Sequence, residues 1–137
     1  MMSDSTLTSS LIPIIFEVMK VVNLDNKLSL FSDHWHPRII GTLNGQAVKL
    51  AKVKGEFVWH SHKDEDELFY IVKGTLKIEF RDGVKTLREG EMLIIPRGVE
   101  HRPIAEKEVH VMLFEPMETK HTGEVDSELT REDLEWI

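Results

Sequence analysis

The chain contains no cysteine. A disulfide framework, a thiolate zinc site and a cysteine nucleophile are therefore all excluded. Basic side chains are in deficit, 17 Lys and Arg against 24 Asp and Glu, for a formal charge of −7. A surface of that sign repels phosphate backbones and anionic lipid, so neither nucleic acid nor a membrane is expected as a partner. The apolar stretch at 11–16 is far too short to span a bilayer. It also lacks the basic residues before it and the small residues after it that a secretory signal carries, since Asp4 precedes it and Glu17 follows. A cytoplasmic protein is expected. No repeat of 20–50 residues is visible, which removes solenoids and propellers. Nor does any Gly-rich phosphate loop or serine–histidine–acid set stand out.

What is present suits one soluble domain: 137 residues, 41% hydrophobic and 30% charged, enough to bury a core without cross-links. Leu24, Leu28 and Phe31 recur at helical spacing, with Asp25 or Asn26 as N-cap, and Pro37 closes that segment. From residue 46 the period becomes two. Strands are expected over 46–53 (after an Asn44-Gly45 hairpin turn), 56–62, 67–73, 75–81, 84–88, 92–95 and 109–114. Alternation in 56–62 puts Val58, His60 and His62 on one face and Phe57 and Trp59 on the other. Thr130 with Asp133 resembles a capping box opening a short helix that carries Leu134 and Ile137. The organisation expected is an N-terminal appendage (1–18), a helix and strand flank (19–45), a β domain (46–116), and an acidic tail with a short helix (117–137). Many short strands between turn signals mean an all-β sandwich or barrel.

Histidines carry the chemistry. His60 and His62, two apart on a strand, sit about 6.5–7 Å apart along one face. Their imidazoles can lean onto one ion at about 2.0–2.1 Å per bond. Spacing alone is weak evidence, as His34-Trp35-His36 shows: it has the same spacing but lies before Pro37 with no further histidine near in sequence. That pair is read as structural or surface. The second pair has company. Glu67 follows the acidic turn 64–66 and opens the next strand, which Gly74 ends; Gly90, Pro96, Gly98 and His101 form a second unit of strand, tight turn and histidine.

Gly55, His60, His62, Glu67 and Gly74 resemble the first motif of the cupin superfamily, and Gly90, Pro96, Gly98 and His101 resemble the second. Two positions depart from the pattern: four residues rather than five separate Gly55 from His60, and Ala105 stands where Asn is usual. The resemblance, over about residues 46–115, implies a double-stranded β-helix, a jelly-roll-like barrel with short helices at both ends. It implies His60, His62, Glu67 and His101 as ligands of one divalent metal, and a homodimer. Three imidazoles and a carboxylate suit Fe, Mn, Ni, Cu or Zn. Four protein ligands on a six-coordinate ion leave two positions open to a small-molecule substrate. Val58, Phe69 and Ile71 are the expected pocket residues. Trp59 and Tyr70 are read as core or dimer interface, Arg102 as exposed, and His110 and His121 as incidental. Three functions follow from the resemblance: a dioxygenase, a sugar or sugar-phosphate isomerase or epimerase, and a non-catalytic ligand-binding module. Few cations fall on the inward face, which disfavours a phosphorylated sugar and puts oxygen chemistry first.

Overall fold

A computed structural model describes residues 11–123 and 125–137; the Ser- and Thr-rich start of the expected appendage lies outside the described residues. Two short helices, α1 (Leu11–Val18) and α2 (Leu24–Leu28), precede seven strands. These are β1 (Arg38–Leu43), β2 (Gln46–Glu56), β3 (Glu67–Lys73), β4 (Leu76–Phe80), β5 (Gly83–Leu87), β6 (Met92–Ile95) and β7 (His101–Pro116). No helix among the described residues is long and apolar enough to cross a membrane. The cap of α2 falls two or three residues earlier than the sequence suggested: Asn23 accepts from the Asn26 backbone N–H, leaving Asp25 and Asn26 inside the first turn.

The strands order as β1-β2-β7-β3-β6, with β4 added to β7 and β5 to β4. All these pairs are antiparallel. The long β7 organises the sheet. It pairs with β2 along most of its length, with β4 through residues 101–104, and with β3 through residues 110–114. Among the described residues hydrogen bonding does not run round a closed ring, so of the sandwich and barrel expected the all-β cupin-like fold takes the sandwich form; β1, β5 and β6 are edges.

Alternation along the paired strands makes two cores. Ala51, Val53, Phe69, Ile71, Val111 and Leu113 point into the main core. Their neighbours Leu50, Val72 and Met112 point the other way, onto Leu28 and Phe31 of the N-terminal flank. Burying Leu28, Phe31 and Leu50 removes roughly 1.5–3 kcal/mol of unfavourable apolar hydration per side chain, which anchors the short α2 on β2.

Two sequence expectations give way here. Residues 57–66 form no strand. The β2–β7 register shifts between Val53 and Gly55, and Gly55 takes φ +85, a backbone shape suited to glycine. Phe57 keeps the inward parity of Ala51 and Val53 and is buried, Val58 is half-buried, and the change of face toward His60 falls in the irregular stretch after Glu56. The C-terminal helix is also absent. Ile39 donates to the Glu135 carbonyl and Ile137 donates to Ile39, so the end of the chain pairs with the edge of β1. A single exposed helical turn is marginal in water. Edge pairing plus burial of Ile137 against the second core outweighs it. Thr130 bonds Thr122 and the Ser127 N–H and caps no helix.

Candidate metal centre

Each candidate ligand is placed by backbone bonds. His60 and His101 form an isolated antiparallel bridge, exchanging N–H···O=C bonds of 3.0 and 2.9 Å. Gly98, at φ +81 in the tight turn after β6, donates to the His62 carbonyl at 2.7 Å. Glu67 opens β3 opposite Ile95 of β6. Segments distant in sequence thus bring His60, His62, Glu67 and His101 together, all buried, with one ligand atom from each lying within 4.8 Å of the others.

The donor set fits a cation. Nδ1 of His60 lies 2.9 Å from the Val58 carbonyl and Nδ1 of His101 lies 2.9 Å from the Val99 carbonyl. A carbonyl only accepts, so each Nδ1 carries the proton and each Nε2 offers its lone pair. Glu67 Oε1 lies 3.3 Å from His62 Nε2 and 3.4 Å from His101 Nε2, yet none of these three buried atoms has a hydrogen-bond partner. Two donors about 2.1 Å from one ion at near-right angles stand roughly 3.0–3.4 Å apart, so a shared ion accounts for both the spacing and the orphaned atoms.

Protonation agrees. Burial, with His101 alongside, pushes the His60 imidazole down to about 4, leaving it neutral and ready to ligate. Burial works to raise Glu67, but the imidazoles of His101 and His62 hold its carboxyl well below the usual range. Behind it, burial and the charge of Glu67 push Glu115 well above that range. Lys49 Nζ reaches Glu115 Oε1 at 2.9 Å, and both side chains are fully buried.

These shifts carry a pH prediction for the metal-free protein. Because His60 falls from its usual 6.5 to about 4 on folding, the unfolded chain takes up the proton more readily. The contribution is complete above pH 6.5 and is lost as pH falls toward 4. Urea unfolding in chelator should show a decline on the order of 3 kcal/mol across that window, flattened in His60→Asn. An equally steep decline in the variant would assign it to other groups.

A narrow cleft adjoins the cluster, with about 370 Å³ of space counting its open mouth, of which water centres can occupy only about 30 Å³. His60 and Glu67 face it, and Trp35, Phe57, Phe69 and His121 wall it.

A family model described as Cupin domain matches residues 47–117. A cupin-2 domain protein of Shewanella frigidimarina shares 53% identity, covering 70% of this chain and 94% of that one, at a TM-score of 0.70. The chain is a cupin. Protein NMB1881 of Neisseria meningitidis is 35% identical over 71% of this cupin and 99% of its own length, with a TM-score of 0.66. Protein YdbB of Bacillus subtilis is 42% identical over 64 residues, 46% of this cupin; the match spans 57% of that curated relative's length.

The remaining candidates fall unevenly in this cupin. Phe69 lines the cleft, whereas Ile71 lies fully buried in the main core and Val58 packs half-buried against it. The inward place expected for Val58 belongs to Phe57, which continues the inward parity of Ala51 and Val53. His34 pairs with Glu108 and His36 with Asp33, consistent with a structural role. Arg102 is not free in solvent: it is half-buried, bonded to Glu79 and lying over the Trp59 ring, which Arg81 also covers with its guanidinium carbon 3.8 Å from the ring centroid. Arg97 is exposed and bound to Asp66.

Sequence reading missed Trp35 and His121. Trp35, held at φ +58, stacks on Phe57 with centroids 4.6 Å apart and donates its indole N–H to the Lys54 carbonyl. His121, expected to be incidental, is buried and stacks on Phe57 with ring centroids 5.7 Å apart. Both lie outside the residues of the family match, and their polar spacing carried no signal.

Proposed function

We propose that His60, His62, Glu67 and His101 hold one divalent metal ion, and that this cupin performs oxygen chemistry on a small, largely apolar, oxygen-bearing molecule. The metal reading is carried by one observation: three inward ligand atoms, on His62, Glu67 and His101, are buried without hydrogen-bond partners beside a neutral His60. A divalent ion in such a set supplies a Lewis acid and, if redox-active, electrons for dioxygen. The chain's own groups do the rest. The Val58 and Val99 carbonyls fix the imidazole tautomers, Glu67 contributes negative charge, and Trp35, Phe57 and Phe69 exclude water from the cleft.

Support for an uncharged substrate comes from the lining. Among the described residues facing the cleft, none is Lys or Arg. A sugar-phosphate isomerase needs cations converging on the phosphate, and that reading is correspondingly weaker. A homodimer belongs to the same proposal, supported by the exposed apolar side chains Ile14, Phe16, Val18, Met19 and Val21 near the N-terminus.

Oxygen consumption by Fe(II)-loaded protein, measured against diketones, catechol-like compounds and small thiols, should show uptake with at least one class. Silence across all three would reject the oxygen chemistry while leaving metal binding to be judged by elemental analysis.

A further inference from the structure

His121 comes from the segment after β7, which straps across the site. Thr119 and Thr122 are buried there, the Thr119 carbonyl lies 3.3 Å from Lys49 Nζ, and Thr122 Oγ1 meets Thr130 Oγ1 at 2.8 Å. Gly123 packs so closely that a Cβ would collide with the Ser61 carbonyl, between His60 and His62. The strap is therefore seated directly on the ligand loop, and it presents His121 to the cleft.

The orientation of that imidazole is fixed. Nε2 lies 2.7 Å from the Leu129 carbonyl and must donate to it, so Nδ1 is a lone-pair acceptor. Burial lowers the pKa of the ring, which keeps this acceptor available at neutral pH. Nδ1 is buried and has no partner, in a residue only 6% exposed. Buried acceptors are rarely left unmet. Around it the cleft walls are aromatic and aliphatic, apart from His60 and Glu67. A ligand in the cleft that carries one hydroxyl would find in His121 an unused acceptor outside the ligand quartet.

We infer that His121 is a positioning residue of the pocket, whose Nδ1 accepts a hydrogen bond from the hydroxyl of a small planar enol or phenol bound beside the metal. The inference rests on the metal reading for the ligand's place but not for the hydrogen bond itself. The narrowness of the cleft limits the ligand to about one ring. The stacked Trp35 and Phe57 supply an apolar wall for it.

Phenol and toluene, nearly equal in size, differ in the one donor that matters. Protein labelled with ¹⁵N-histidine is titrated with each, both zinc-loaded and metal-free. The His121 Nδ1 resonance should move with phenol and stay still with toluene. In His121→Phe, which keeps the ring stacked on Phe57, the phenol-to-toluene affinity ratio should fall about fivefold to tenfold, as for the loss of one hydrogen bond. His121→Asn, with an amide oxygen near the Nδ1 position, should recover part of that ratio at unchanged zinc content. An Nδ1 resonance indifferent to phenol, no phenol binding, or an unchanged ratio in the folded variant each overturns the inference; if His121→Phe does not fold, the wild-type spectra decide. Failure of the metal reading appears separately, as zinc bound at well below one ion per chain.

Discussion

Replacing His101 by alanine is expected to empty the metal site. His101 is fully buried at the centre of the cluster, its ring 4.3 Å from that of His60 and 6.3 Å from those of Phe69 and Phe80. No other histidine among the described residues approaches to replace it: His34, His36 and His110 are bonded to carboxylates elsewhere, and His121 lies outside the cluster of mutually close ligand atoms. Loss of even an outer partner of a ligand weakens metal sites by about 10–100-fold, so removing a ligand should cost at least the upper end of that range. Wild-type protein should carry about one ion per chain by elemental analysis and gain thermal stability with added zinc, about 2.7 kcal/mol at a hundredfold excess over Kd. His101→Ala should lose both properties, while His34→Ala keeps them. Retention of wild-type metal content by His101→Ala would refute the site.

The second large effect should come from Lys49→Met. Lys49 and Glu115 face each other across β2 and β7, with neither side chain reaching solvent. Removing one partner of a buried pair leaves the other uncompensated and typically costs about 3–5 kcal/mol. Here Glu115 already stands above the usual carboxylate range through burial and Glu67. Part of the cost is therefore relieved by keeping its proton, and a loss of about 3 kcal/mol in urea unfolding is expected. Out of a total of roughly 5–15 kcal/mol, that is severe. The double variant Lys49→Met/Glu115→Leu removes the charge along with its partner and should recover much of the loss. Strict additivity of the two single effects would show that the pair is not coupled.

Much of this was legible because the relevant signals are local. Period-two patterning and turn dipeptides located β2 to β6, and Asn44 and Gly45 do take positive φ, at 51° and 76°, as the hairpin requires. The two histidine units were legible for the same reason: each is a short stretch with punctuating glycines. What stayed hidden depends on tertiary choice. Phe57 keeps the face of Ala51 and Val53, and the chain changes face only in the irregular stretch between Phe57 and His60, so counting back in twos from the histidines misplaces Phe57 and Val58. The tail prefers the free edge of β1 to its own helical turn, and nothing local announces that edge. His121 gains its place only because the strap returns to the His60–His62 loop. Trp35 sits between His34 and His36, and it reaches the cleft through a left-handed backbone at φ +58 that spacing does not encode.

The shared strand β7 has a consequence for how the centre assembles. Three candidate ligands lie within eight consecutive positions, 60–67, but the fourth waits 34 residues further on at the start of a strand that must find β2, β3 and β4. Such pairings are non-local, and loop closure precedes any reward from contacts. Until β7 docks, an ion meets at most a partial set of ligands with no fixed spacing. An ion held as proposed above would then be captured late, slowing escape from the native state more than speeding arrival there.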